Sequence, residues 1–220
     1  MKRLVLSIIV LLSALSAYAT CGTAPSESLV SNLVNQAPGL HENVLKLALN
    51  ADRCAAQQGL VKRPDLLTVI DYSIESTQPR LFVFNLATQK VLFRELVAHG
   101  KNSGNKFTDF FSNDPGSLAT SLGLFVTEDA YVGHNGYSLR LKGLEPGFND
   151  MALARAIVLH GAYYVSQEAI KVLGRLGRSW GCPAVRAEIA GKLIDTIRGG
   201  TAIFAYYPDQ SWLAKSAFLH

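Results

Sequence analysis

Two side chains that can act together in covalent chemistry lie 22 residues apart in this sequence, at His160 and Cys182. Cys182 stands in GRSWGCPA (177–184), and His160 ends the apolar stretch RAIVLH (155–160). A thiolate nucleophile usually works with a neighbouring base that a third group orients. A histidine at the end of a strand is, by itself, more often structural. Because Cys182 follows 22 residues later, the catalytic interpretation of His160 is favoured.

The residues after Pro183 carry a helical pattern. The stretch AVRAEIAGKLIDTIR (184–198) has apolar residues at helical spacing and is followed by two glycines, which predicts a helix with Pro183 in its first turn. Cys182 then lies at the N-cap, where the positive end of the helix lowers the pKa of a thiol. Gly181 permits a tight turn that aims the N–H groups of Trp180, Gly181 and Cys182 at one point, as an oxyanion hole requires.

The N-terminus is typical of an export signal. Lys2 and Arg3 precede an apolar run (4–15) and the small-x-small pattern Ala17-Tyr18-Ala19, which predicts a signal peptide over residues 1–19 and a periplasmic or extracellular protein. The run is too short for a membrane span, which needs about 20 apolar residues. Lipid attachment at Cys21 is the alternative, although residues 18–20 make a poor lipobox.

The cysteine count points to the same nucleophile. In an oxidising compartment Cys21 and Cys54 can close a disulfide, which leaves Cys182 over from the three cysteines. An odd thiol in a secreted chain suggests a reactive group or an intermolecular bridge. A buried core cysteine is the remaining alternative.

Composition narrows the function classes. Without residues 1–19 the chain has 201 residues, enough for one domain with a helical extension, and 19 basic side chains face 17 acidic ones. This mild excess does not favour nucleic-acid binding. The close His and Cys pairs of a structural zinc site are missing, so neither a metal nor a cofactor is predicted. No stable membrane insertion is expected after signal cleavage, and a monomer is expected.

The remaining pattern predicts a mainly β, α+β fold. Helical spacing between residues 29 and 58, broken at Pro38-Gly39, gives an N-terminal helical lead-in (20–60). From residue 66 onwards, short β-type runs alternate with turn residues, and TAIFAYYP adds a last strand, which predicts a mostly antiparallel sandwich or barrel. The catalytic domain is placed at 61–210 and a C-terminal tail at 211–220.

Several stretches together resemble one family. HGAYYV and GRSWGCPA are similar to the catalytic segments of the murein L,D-transpeptidase catalytic domain family, which has the YkuD-type fold. Further similar blocks lie at 68–86, 96–104, 111–127 and 133–162, so that the resemblance covers about residues 40–208.

This resemblance implies a cysteine acyltransferase that acts on peptidoglycan stem peptides. The thiolate attacks the carbonyl between the third residue of the stem and a terminal D-alanine, and the acyl group then passes to an amine or to water. Carried onto this chain, Cys182 is the nucleophile and His160 the base. The Gly161 carbonyl orients the imidazole, and Gly181 with Cys182 supplies oxyanion donors. Arg178, Ser179 and Trp180 are predicted to contact substrate.

The sequence departs from the family signature at two positions. Trp180 stands where a histidine is usual, and Ala184 stands where an arginine is usual. A substrate carboxylate could therefore meet Arg178, Arg186 or neither, and Arg178 could equally be a solvated loop residue. His134 is predicted as an exposed turn residue. His99 is a weaker candidate for the same cleft.

Two other functions stay open at this point. A cysteine carboxypeptidase or amidase would use the same dyad with water as acceptor. A wall-binding module that has lost its chemistry is the other alternative. If His160 and Cys182 form an ion pair, alkylation of the thiol is expected to persist well below the ordinary thiol pKa of about 8.5.

Overall fold

The computed structural model describes residue 21 and residues 24–220, so the predicted signal peptide lies outside the described residues. The described helices are α1 (Glu27–Gln36), α2 (Glu42–Gln57), α3 (Gln167–Leu173), α4 (Ala187–Ile197) and α5 (Gln210–Lys215). The described strands are β1 (Leu66–Asp71), β2 (Leu81–Asn85), β3 (Lys90–Glu95), β4 (Val97–Ala98), β5 (Gly123–Gly133), β6 (Gly136–Gly143), β7 (Val158–Ala162), β8 (Ala184–Arg186) and β9 (Ala202–Tyr206). In this part of the chain no helix has the length and hydropathy of a membrane span.

All nine strands belong to one sheet, in the order β3-β2-β1-β9-β5-β6-β7-β8-β4. Its two terminal strands, β3 and β4, are consecutive in the chain with only Leu96 between them, so the sheet is nearly closed. The β1–β9 and β7–β8 pairs are parallel, and the others are antiparallel. The predicted α+β, mainly antiparallel YkuD-type architecture is confirmed.

The N-terminal helices pack on one face of this sheet. Ser26 caps α1 by accepting a hydrogen bond from the Leu29 N–H, and the apolar sides of α1 and α2 join a core with β1, β2 and β9. Cys21 and Cys54 form a disulfide, with their Cα atoms 5.0 Å apart. The lead-in is thus part of the hydrophobic core, and the disulfide ties the start of the described chain to α2.

The C-terminal segment also belongs to this core. Residues 211–220, predicted as a tail, contain most of α5 and bury Trp212 completely. The indole Nε1 of Trp212 donates a 2.8 Å hydrogen bond to the buried carboxyl of Glu145. An apolar side chain with a satisfied polar end fixes the segment.

The structure contradicts the predicted helix start after Pro183. Ala184 and Val185 are fully buried in strand β8, which pairs with β7 on one side and β4 on the other, and α4 begins only at Ala187. The apolar residues of this stretch fit a helix by spacing, but the sheet offers the first two residues, Ala184 and Val185, a partner on both sides. Tertiary pairing therefore outweighs the local helical pattern.

Candidate active site

A cleft of about 360 Å³ opens at the ends of β7 and β8, beside the tip of the β5–β6 hairpin. It contains both residues of the predicted dyad. The lining residues are His134, Asn135, Arg155, Ala156, His160, Tyr164, Arg178, Ser179, Trp180 and Cys182. Two of these side chains are guanidinium groups and none is a carboxylate, so the cleft favours an anionic ligand.

Strand β7 carries His160 into the cleft. The residue pairs with Ser138 on β6 and Ala184 on β8, and its side chain is almost completely buried. Nδ1 lies 3.0 Å from the Gly161 carbonyl oxygen, to which it donates, so Nε2 is left as the basic nitrogen. Burial lowers the pKa of the imidazole, and the hydrogen bond to Gly161 opposes this shift. His160 is therefore a neutral base at neutral pH.

Gly161 also sets the position of helix α4. A Cβ atom at this residue would lie 2.9 Å from the Cβ of Ala190 and 3.1 Å from the Cα of Ala187. Only a residue without a side chain allows α4 to pack this closely on β7, behind the histidine.

The Cys182 sulfur lies between β7 and the cleft. Because His160 pairs with Ala184, Cys182 comes two residues earlier on the neighbouring strand and next to Val158. The Val158 N–H donates to Sγ at 3.5 Å, and Sγ lies 3.8 Å from the Ala156 carbonyl oxygen. The residue is 8% exposed and is the free cysteine of the chain.

The expected activation of the thiol by a helix N-terminus is wrong. Helix α4 starts five residues after Cys182, beyond strand β8. Burial instead raises the pKa of the Cys182 thiol, and the Val158 N–H and the Arg155 guanidinium oppose that rise. The dyad at rest is thus a neutral thiol beside a neutral imidazole, and alkylation should not persist at low pH.

Ser179 and Gly181 shape the turn before the nucleophile. Gly181 has φ +121°, and a Cβ there would lie 2.8 Å from the Ala119 carbonyl oxygen, so the turn requires glycine. The Ser179 hydroxyl donates to the Cys182 carbonyl at 2.6 Å and accepts from the Gly181 N–H at 3.1 Å. The Gly181 N–H, predicted as an oxyanion donor, is therefore engaged within the turn.

The two arginines considered for a substrate carboxylate have different surroundings. Arg186 forms a two-point ion pair with Glu95, at 2.8 and 2.9 Å. Arg178 lines the cleft, and its Nη1 donates to the carbonyl oxygens of Lys101 and Gly104 and to the side chain of Asn105. Arg178 is therefore anchored at the cleft, and Arg186 is committed elsewhere.

Trp180 presents its ring at the mouth of the cleft, where it is 75% exposed. His134 lies at the hairpin tip that closes the cleft on another side, as the turn prediction placed it. His99 is not among the lining residues. It is buried beneath the loop that precedes Cys182, and its backbone carbonyl accepts a hydrogen bond from the Ser179 N–H.

Arg155 and Tyr164 are lining residues that were not identified from the sequence. Arg155 was assigned to the start of a strand, yet it precedes β7 and reaches into the cleft. Tyr164 follows β7, and burial raises its pKa to about 12, so the phenol stays protonated. Charge at position 155 within an otherwise apolar stretch was the available signal for Arg155. For Tyr164 the sequence offered none.

Metal chemistry has no ligand set in the described residues, where no three His, Cys, Asp or Glu side chains cluster. The arrangement suits acyl transfer. The neutral imidazole has a fixed tautomer and can take the proton of the thiol, so that the sulfur attacks a carbonyl carbon. The positively charged side chains around the cleft can stabilise the negative charge that then develops on the carbonyl oxygen.

A family model for the L,D-transpeptidase catalytic domain matches residues 36–206. The chain belongs to this family. A comparison with functionally curated proteins finds no match. Family membership agrees with the resemblance of the catalytic segments.

Solved structures show similarity at low identity. An L,D-transpeptidase from Mycobacterium smegmatis is 15% identical, with 65% of this chain and 59% of that chain covered and a TM-score of 0.40. The helical cell shape determining protein Pgp2 from Campylobacter jejuni is 12% identical, with 66% and 48% covered and a TM-score of 0.41. Residues 123–326 of an L,D-transpeptidase from Xylanimonas cellulosilytica are 14% identical, with 86% of this chain and 97% of that chain covered and a TM-score of 0.37. The chain spans less than two thirds of the length of the first two.

Proposed function

We propose that this protein is an exported L,D-transpeptidase that acts on peptidoglycan stem peptides through a Cys182 thioester. The observation that carries the proposal is that Cys182, just before β8, and His160, on the adjacent strand β7, line one cleft, with the imidazole tautomer set by the Gly161 carbonyl. Nδ1–H donation leaves Nε2 ready to accept a proton, as a general base requires.

The first half-reaction forms the acyl-enzyme. His160 Nε2 takes the thiol proton while Sγ bonds to the carbonyl carbon of the peptide bond before the terminal D-alanine. The Cys182 N–H is a backbone donor for the oxyanion, since the Gly181 N–H is held by Ser179. The C–N bond then breaks, the imidazolium gives its proton to the leaving amine, and D-alanine departs.

The second half-reaction transfers the acyl group. An incoming amine attacks the thioester carbonyl and loses a proton to His160, and the C–S bond breaks. The thiolate recovers the proton from the imidazolium, so the dyad returns to its neutral state. With water as the acceptor, the same steps give a carboxypeptidase, which is the alternative function.

The cleft electrostatics support a stem peptide as donor. Arg155 and Arg178 line the cleft and no carboxylate does so among its lining residues, which suits a peptide that bears free carboxylates. Trp180 adds an exposed aromatic surface at the entrance.

Incubation with purified muropeptides tests this function. Crosslinked dimers are expected from the wild type and should be lost in Cys182→Ala. Trimmed monomers alone would instead show that water is the acceptor. Mass spectrometry after carbapenem treatment is the second measurement, with a stable adduct expected on Cys182. An unmodified wild-type protein that still binds sacculi would overturn the proposal in favour of a wall-binding module.

A further inference from the structure

Arg155 donates four hydrogen bonds to neutral oxygen atoms around the cleft. Nη1 binds the Ser112 carbonyl at 2.7 Å and the Ser121 hydroxyl, and Nη2 binds the Ser117 hydroxyl at 3.1 Å and the Ala119 carbonyl at 2.6 Å. Neutral acceptors orient a guanidinium without cancelling its charge. Arg155 therefore holds residues 112–121 in place and stays charged. Asp114 of this segment interacts with Arg155 electrostatically, but none of the four hydrogen-bond acceptors is a carboxylate.

This charge lies against the loop that carries the nucleophile. A Cβ atom at Gly181 would be only 3.3 Å from Arg155 Nη2, so the guanidinium is in contact range of the residue before Cys182. The backbone that follows Arg155 also holds the sulfur, through the Ala156 carbonyl and the Val158 N–H. The same short segment thus positions both the sulfur and a cation beside it.

The other titratable and charged groups around the sulfur do not replace this cation. His160 on β7 is neutral at rest, and Tyr164 after β7 and Tyr72 after β1 are phenols whose pKa burial raises. Arg178 precedes Cys182 in the same loop but is tied to the 101–105 segment. The burial that raises the thiol pKa is opposed by Arg155.

We propose that Arg155 is the positioning residue of the Cys182 nucleophile, keeping a positive charge beside the sulfur while it is anchored to residues 112–121. The proposal rests on Cys182 as the nucleophile of the proposed function. In this proposal Arg155, which precedes β7, supplies the electrostatic support that was expected from the N-terminus of α4. Helix α4 does not supply it, because it begins five residues after Cys182.

The chemical consequence concerns the proton transfer within the dyad. When the proton moves from Sγ to His160 Nε2, a thiolate and an imidazolium form from two neutral groups. Arg155 stays protonated throughout and exchanges no proton. Its fixed charge stabilises the thiolate relative to the thiol, and so it should lower the pH at which the sulfur becomes reactive.

The test is the pH profile of Cys182 alkylation by iodoacetamide, measured on the full chain with the Cys21–Cys54 disulfide intact. Arg155→Gln should move the profile to higher pH by about one unit, which lowers the rate near pH 7 about tenfold. Arg155→Lys keeps the charge and should keep the profile close to that of the wild type. Arg175→Gln is the matched control, because that arginine lies outside the cleft lining, and its profile should not move.

An Arg155→Gln protein that melts cooperatively and keeps the wild-type profile would overturn the proposal. If that variant does not fold, Ser117→Asp tests the same point, because a carboxylate there would pair with Nη2 and cancel its charge. A profile moved to higher pH supports the proposal, and an unchanged one refutes it. Iodoacetamide needs no peptidoglycan, so this readout is separate from loss of the transpeptidase reaction.

Discussion

His99 directly follows β4 and His160 lies in the middle of β7, and each is followed by a glycine, yet the two histidines differ in chemistry. His99 and His160 are both buried. Nδ1 of His99 lies 2.7 Å from Arg80 Nη2 and must accept, because a guanidinium can only donate. Nδ1 of His160 donates to the Gly161 carbonyl instead. The first histidine is an acceptor within a buried network, and the second keeps a basic nitrogen for the cleft.

The neighbour of each imidazole causes this difference. Burial, followed by the charge of Arg80, lowers the pKa of His99 to about 3. Arg80 is itself fully buried and binds the Val97 and Ile74 carbonyls and Thr108. Burial in front of a glycine therefore does not make a histidine catalytic. The atom that faces Nδ1 decides whether the ring can act as a base.

The largest expected effect separates the two histidines by activity. His160→Gln should lower the rate of muropeptide crosslinking by about 10²- to 10⁴-fold, because the general base is lost. His99→Gln should lower it far less, since that side chain does not line the cleft. Rates of dimer formation with equal amounts of folded protein measure both. Equal losses in the two variants would break the comparison.

Substitution of Arg80 tests whether the buried network around His99 stabilises the fold. Arg80→Met leaves the Val97 and Ile74 carbonyls and His99 without their donor, and should lower the free energy of unfolding by about 3 kcal/mol or more. Urea unfolding is the measurement. Arg140→Met is the control, because Arg140 only lies over the exposed face of Tyr131, at 3.9 Å, and should cost about 0.5–1 kcal/mol.

Acid stability should distinguish the two sites further. A histidine whose folded pKa is lowered stabilises the protein above its unfolded pKa of about 6.5, and this contribution is lost as the pH falls. For His99 the loss continues down to about pH 3. The unfolding free energy of His99→Gln should therefore depend less on pH over this range than that of the wild type. A parallel pH dependence in both proteins would contradict a neutral His99.

The glycines that follow the histidines should give the smallest effects. A Cβ at Gly100 would lie 2.5 Å from the Leu118 carbonyl oxygen, whereas a Cβ at Gly161 would lie 2.9 Å from the Cβ of Ala190. Each alanine substitution should cost about 1–3 kcal/mol in unfolding free energy, with the larger cost at Gly100, where backbone must move. Thermal melts of both variants measure the order, and the reverse order would show that α4 yields less readily than the 118–119 segment.

The sequence was sufficient for much of the sheet and for the members of the dyad. Alternating apolar runs located the longer strands, and the pattern around Cys182 and His160 indicated the two residues that serve as nucleophile and base in the proposed function. It was insufficient for β8, because three residues after a proline fit a helix as well as a strand. It was also insufficient for Arg155, whose partners lie 34 to 43 residues away in the chain.

By itself, the sequence determined the residue types: one cysteine left over from a disulfide pair, a histidine in an apolar strand and glycines where no side chain fits. The tertiary structure decided their protonation. Burial sets the direction in which the thiol and both imidazoles shift, and only the folded chain brings Arg155 to the sulfur and Arg80 to His99. Proton affinity depends on the charges and solvent around a group, and distant segments of the chain supply both.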